Sequence, residues 1–240
     1  MDPESGLDAL RNVGIKDGKI VTITEDKLVG DNTIDALGLV VAPGFIDLHV
    51  HLFNPKQSKE TLDLVVLDGV TSALELEVGT ADIGAWYDER SGGQIVNYGV
   101  SIGHIPVRMK VMGDEGDFVP SGPGGSEPAS QDQILEMERL IKQGLDAGGL
   151  GVGFGLAYTP AATTGEFETM LKVAAERGAA AYIHLGQGTE GLNQALESAA
   201  NTGVSLHVVH VNSSGGPATG DYLEAIQQAR DQGLDVTTEA

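Results

Sequence analysis

Cysteine is absent from the 240-residue sequence. This excludes a disulfide framework and any thiolate ligand, so a metal held by this chain must be held by nitrogen and oxygen. No stretch approaches the roughly 18 consecutive apolar residues of a membrane span. The opening Met1-Asp2-Pro3-Glu4-Ser5 has neither the basic nor the apolar region of a signal peptide. The expectation is a globular protein of the cytoplasm with no membrane partner. Basic residues are scarce: 14 lysines and arginines stand against 35 acidic residues, a formal charge of −21. Such a surplus repels phosphate backbones and counts against a nucleic-acid partner. Also missing are a GxGxxG run opening a helix, a Walker loop and a GxSxG elbow. The glycine-rich run 148–155 resembles a phosphate loop only in composition, because its glycines alternate with apolar residues as in a strand.

What is present begins with short β-like runs, Asn12–Ile15 and Lys19–Ile23, joined by Lys16-Asp17-Gly18, whose Asp-Gly is a hairpin signal. Thr33–Ala36 and Leu39–Val41 continue the pattern, so residues 1–42 read as a small β-sandwich portion. From Pro43 onward short apolar strands alternate with helical segments, which argues for a parallel α/β architecture over 43–240. The strand candidates are Phe45–Leu52, Thr71–Val78, Val96–Ile105, Leu150–Leu156, Ala179–Leu185, Ser205–Val211 and Asp235–Glu239. Helices are expected over Lys59–Leu67, Gln131–Leu145, Gly165–Arg177, Leu192–Ala200 and Asp221–Gln232, with Gly178, Gly203 and Gly233 placed to cap three of them. Residues 113–130, rich in glycine, proline, serine and acid, read as a long mobile loop over one mouth of the sheet. The fold class is therefore α/β, a (β/α)8 TIM-like barrel incomplete at about seven strands, and the chain reads as a fragment truncated before strand 8.

The chemistry concentrates at strand ends. In Pro43-Gly44-Phe45-Ile46-Asp47-Leu48-His49-Val50-His51 an apolar run ends in two histidines that an extended strand would point the same way, ready to grip one ion. His184 and His210 also close apolar runs just before glycine- or serine-rich loops, on the face where a barrel keeps its active site. His207, at odd spacing from His210, is expected on the opposite face, packed against a helix. His104 stands between a satisfied strand-end residue and a substrate contact. Glu75 and Glu77 share one face of an otherwise apolar strand and need a compensating cation. Glu77, nearer the loop, is the preferred metal ligand, with Glu75 behind it or in a salt bridge. Two histidine pairs with a carboxylate between them suit one or two Zn²⁺ ions, which lower the pKa of bound water and generate a hydroxide able to attack an amide.

These residues together, APGFIDLHVH with the later strand-end histidines, resemble the metal-dependent amidohydrolase superfamily. Asp68-Gly69-Val70-Thr71-Ser72, Leu74–Glu77, Gly148–Tyr158 and His207–Gly215 are similar to its N-acyl-D-amino-acid deacylase branch, and Ala85–Glu89 with Val96–Gly99 to the N-acyl-D-glutamate deacylases. The resemblance implies His49 and His51 on one metal, His184 and His210 on a second, and a bridging ligand between them. The carboxylated lysine and the cysteine that bridge in relatives have no counterpart here, which puts Glu77 in that place. It also implies substrate contacts from Tyr158 and Ser213, and a small N-acyl amino acid as partner, with a homo-oligomer compatible. The family's general-base aspartate falls beyond residue 240, so the catalytic residue is unassigned and the chain alone is expected to be inactive. Cyclic amides of the hydantoinase or dihydroorotase kind, isoaspartyl dipeptides, and a non-catalytic barrel scaffold are the alternatives.

Overall fold

The structure is a computed structural model that describes residues 1–53 and 59–240. It divides into two compact units, Met1–Phe45 and Ile46–Ala240. In the first, β1 (Asn12–Lys16) and β2 (Lys19–Thr24) form an antiparallel hairpin. Its two-residue turn places Asp17 and Gly18 at φ of +51° and +72°, the doubly left-handed geometry that an Asp-Gly pair adopts at least cost. The runs 33–36 and 39–41 form no regular strand, so the expected sandwich portion is a single two-stranded sheet.

The second unit is built on a curled seven-stranded sheet whose spatial order follows the chain: β3 (Phe45–Asp47), β4 (Val70–Thr80), β5 (Asn97–Gly103), β6 (Gly151–Gly155), β7 (Ala180–His184), β8 (Leu206–Val208) and β9 (Val236–Thr238). From β4 onward each strand pairs in parallel with the next. Between the strands lie α1 (Lys59–Leu67), α2 (Ile83–Asp88), α3 (His104–Met112), α4 (Pro123–Ser126), α5 (Gln131–Asp146), α6 (Thr164–Glu176), α7 (Gly188–Thr202), α8 (Val211–Gly215) and α9 (Thr219–Asp231). This is the architecture of a TIM-type barrel built up to its seventh strand. Among the described residues no helix is long and apolar enough to cross a membrane.

Local chemistry explains the longer helices. Ser130 and Gln133 form a reciprocal capping box at the start of α5, and Thr163 caps α6 by accepting from the Glu166 amide. Gly178, Gly203 and Gly233 take positive φ just past α6, α7 and α9, as expected of left-handed caps. The inward faces of α5 (Met137, Ile141), α6 (Phe167, Met170, Leu171) and α9 (Ile226) pack with Ile102, Val152, Phe154, Ile183 and Val208 of the strands in one apolar cluster. Each of the large side chains fully removed from water contributes about 1.5–3 kcal/mol.

The third strand candidate and the segment after it also differ from expectation. The third strand ends at Gly103 and α3 begins at once, because Ile105, Val107, Arg108 and Met109 are all buried and the helix has no polar face to betray its period. The segment 113–130 is held at several points. Asp114 accepts hydrogen bonds from the amides of Gly116, Ser121, Gly122 and Gly124 at 2.8–3.0 Å. Arg108 donates to the carbonyls of Gly124 and Glu127. The buried Arg108 is balanced by Glu166 at 2.8 Å, which also binds His104 Nε2 at 2.8 Å. His104 is thus a fully enclosed structural residue, and Arg108 is spoken for by Glu166 rather than by the acids of β4.

Candidate metal centre

The HxH segment leaves β3 and runs on extended beside β4, where His49 bridges to Glu75 and the Val50 amide donates to the Leu74 carbonyl at 3.1 Å. That pairing turns both imidazoles toward β4. His49 Nε2 and His51 Nε2 lie 3.2 Å apart and 2.8 and 3.0 Å from the same oxygen, Glu77 Oε2. On the other side of the carboxylate, Glu77 Oε1 is 2.9 Å from His184 Nδ1, at the end of β7, and His184 Nδ1 is 2.9 Å from His210 Nε2. Two donor triplets therefore share Glu77: His49, His51, Glu77 and Glu77, His184, His210.

The donor set fits a pair of divalent cations of the zinc type. Nitrogens bound at about 2.0–2.1 Å around a tetrahedral zinc sit roughly 3.3 Å from one another, close to the separations found. Glu77 Oε1 is buried and accepts no aligned hydrogen bond despite its 2.9 Å approach to His184. A buried carboxylate oxygen in this position retains a lone pair that a cation could take up.

A carboxylate buried among imidazoles acquires strong electrostatics. Burial pushes the Glu77 carboxyl up, but its contacts with His184, His49 and His51 outweigh that and hold it well below the ordinary range. Burial alone would lower His49 and His51. The carboxylates of Glu239 and Glu77 instead raise His49 to about 9, and those of Glu75 and Glu77 raise His51 to about 10. Desolvation raises Glu75 and lowers His210.

All five expected ligands, His49, His51, Glu77, His184 and His210, are thus brought together. Glu75 stands behind the cluster, its Oε1 2.6 Å from His51 Nδ1. The Tyr158 hydroxyl lies 3.4 Å from His184 Nδ1, with ring centroids 4.6 Å apart. Ser213 is exposed on α8, whereas the hydroxyl of its neighbour Ser214 lies 3.3 Å from His210 Nδ1. Phe118, from the stapled loop, sets its ring edge-on to His51 at 5.0 Å.

His207 corrects the alternation argument. Strand β8 stops at Val208 and His210 takes a left-handed backbone at φ +35°, so facing no longer alternates between 207 and 210. His207 is buried, as expected of a core histidine, with its ring against Tyr182, and its Nε2 approaches Glu239 Oε2 at 3.6 Å. Glu239 itself, whose Oε1 lies 3.0 Å from His49 Nδ1, was not anticipated. The available signal was an acid at the C-terminal end of a strand candidate, the position already occupied by His184.

The sequence profile of the amidohydrolase family matches residues 40–229. An N-acyl-D-glutamate deacylase of Alcaligenes xylosoxydans xylosoxydans is 26% identical across 94% of this chain, which covers 51% of that protein. The chain thus spans about half the length of this curated relative. A dihydroorotase of Streptococcus pneumoniae is 54% identical over 59 residues, covering 24% of this chain and 14% of its own. Among solved structures, N-acyl-D-glutamate deacylase from Bordetella bronchiseptica, complexed with zinc and a phosphonate mimic of the tetrahedral intermediate, superposes with a TM-score of 0.77. Its identity is 23%, over 95% of this chain and 53% of that one.

Proposed function

The chain belongs to the amidohydrolase family, and on that premise we propose that the protein is a zinc-dependent hydrolase that cleaves the amide bond of N-acyl-D-amino acids, N-acyl-D-glutamate among them. The observation that carries the hydrolytic part is the shared carboxylate: Glu77 stands between two histidine pairs, with all donor atoms in mutual reach. The deacylase part is supported by the relative matched across 94% of the chain. His49, His51 and Glu77 would hold one ion, Glu77, His184 and His210 a second. Zinc bound there supplies Lewis-acid polarisation of the amide and activation of water.

The remaining residues orient and enclose. Glu77 neutralises the charge the histidines gather. Glu75 fixes His51 through Nδ1, leaving Nε2 for the ion. The Tyr158 hydroxyl, beside His184 and half-buried, is placed to donate a hydrogen bond to a substrate oxygen. Phe118 walls the site next to His51 and restricts water there.

A second reading, hydrolysis of a cyclic amide, is favoured by the short but closer match to dihydroorotase. The full-length protein, loaded with zinc and offered N-acetyl-D-glutamate, its L enantiomer, hydantoin and dihydroorotate, separates the two. Release of free D-glutamate supports deacylation. Ring opening of either cyclic amide without release of any D-amino acid overturns it.

A further inference from the structure

The two histidines that follow β3 are treated alike by their surroundings. Each turns Nε2 to Glu77, and each has a different carboxylate behind its Nδ1: Glu75 at 2.6 Å for His51, Glu239 at 3.0 Å for His49. The second of these comes from the far edge of the sheet. We propose that Glu239 is a positioning residue that locks the metal ligand His49 with Nε2 facing the ion. The proposal rests on the metal-centre reading above.

Glu239 is not a side chain free to wander. Its carbonyl accepts from the Val211 amide at 2.9 Å and its own amide donates to the Val208 carbonyl at 3.4 Å, so the backbone is tied on both sides of β8's end. Thr237 and Glu239 are two residues apart, so they project to one face, and Thr237 is in register with His207. The Thr237 hydroxyl lies 2.8 Å from His207 Nδ1. His207 Nε2 stands 3.6 Å from Glu239 Oε2, close to the carboxylate but without a hydrogen bond to it. The other oxygen, Oε1, accepts the Nδ1 proton of His49. A carboxylate can only accept, so Glu239 selects the tautomer of His49 that carries its proton on Nδ1 and leaves Nε2 its lone pair. A carboxylate behind a ligating imidazole both fixes the ring and raises its basicity, and removing such a partner typically costs 10–100-fold in metal affinity.

The test measures zinc affinity by chelator competition for the unmodified protein, Glu239→Ala, Glu239→Gln and Glu77→Gln, together with the His49 Nδ1 proton resonance of the zinc-loaded forms. We expect Glu239→Ala to bind zinc about 10–100-fold more weakly. Glu239→Gln, whose amide oxygen can still accept, should recover part of the loss. The His49 Nδ1 proton should move upfield and exchange faster in both, a signature that a merely structural contact would not produce. Unchanged affinity and an unchanged resonance in Glu239→Gln, while Glu77→Gln abolishes binding, overturn the proposal and leave the metal centre standing. If Glu239→Ala fails to fold, the isosteric Gln variant decides by the same two readouts. Zinc binding indifferent to Glu77→Gln as well removes the metal-centre reading, and the positioning role falls with it.

Discussion

At the level of single residues, two glutamates two positions apart on β4 do different work, and removing each should show it. Glu77 contacts all three neighbouring imidazoles through two oxygens, so Glu77→Gln should lose zinc by orders of magnitude, because the ligand and the negative charge disappear together. Among the described residues the Glu75 side chain bonds the outer nitrogen of His51, and Glu75→Gln should weaken zinc about 10–100-fold. Elemental analysis after dialysis without chelator reads both; equal losses in the two variants would contradict this division of labour. The same residues predict a pH dependence. His49 and His51 are raised from 6.5 to about 9 and about 10, so in the metal-free protein their ion pairs stabilise the fold fully below about pH 6.5 and are lost as pH climbs through those values. Glu239 is lowered to about 2 and Glu77 lower still, so their contribution is present above the ordinary carboxylate value of 4.5 and is lost as pH falls beneath it. Zinc must displace the histidine protons. Zinc binding near pH 7.5 should therefore release protons, seen as a calorimetric enthalpy that varies with the ionisation enthalpy of the buffer, and affinity should rise from pH 7 toward 10.

At the level of elements, the glycine-rich β6 sets how closely the ligand strand can be approached. A Cβ on Gly153 would meet the Leu76 carbonyl at 2.6 Å and crowd the Glu77 carbonyl still more closely. Neither backbone group can step aside without moving Glu77. Gly153→Ala should cost about 1–3 kcal/mol of stability and lower zinc content. Gly92→Ala, which faces open space, should change neither; thermal melts and metal analysis check both. The glycines of 148–155 were legible as a strand, but their purpose was not, since close approach is a property of the neighbouring chain. Helices α5, α6, α7 and α9 were readable because each buries one stripe and leaves caps and polar faces in the sequence. Helix α3 was not, because burial of most of its side chains leaves Lys110 as its one exposed residue and no polar stripe at the 3.6-residue period. The five residues that meet around the Glu77 carboxylate were legible from residue type and strand-end placement. Glu239 was hidden because Val236-Thr237-Thr238-Glu239 has little apolar contrast, and because its partner lies 190 residues earlier.

At the scale of the molecule, strand order equals chain order, so β3 and β9 are the two edges of the sheet. Yet the residues just past those edges touch: His49 follows β3, Glu239 follows β9, and they meet at 3.0 Å. The curl of the sheet has brought its margins within reach of each other on the face where the ions would sit. Seen mechanically, the centre is a clasp across the seam where the two margins meet. Cations seated in it tie His49, just past one margin, through Glu77 to His184 and His210 on the strands toward the other, and the free energy of their capture is available to hold the seam shut in the folded state and in no other. Hydrogen exchange should report this directly. Adding zinc should slow amide exchange at both margins, around 46–51 and 236–239, more than at β6 in the middle of the sheet. Protection confined to the β3 side would mean that the ions are gripped locally and the seam stays unfastened.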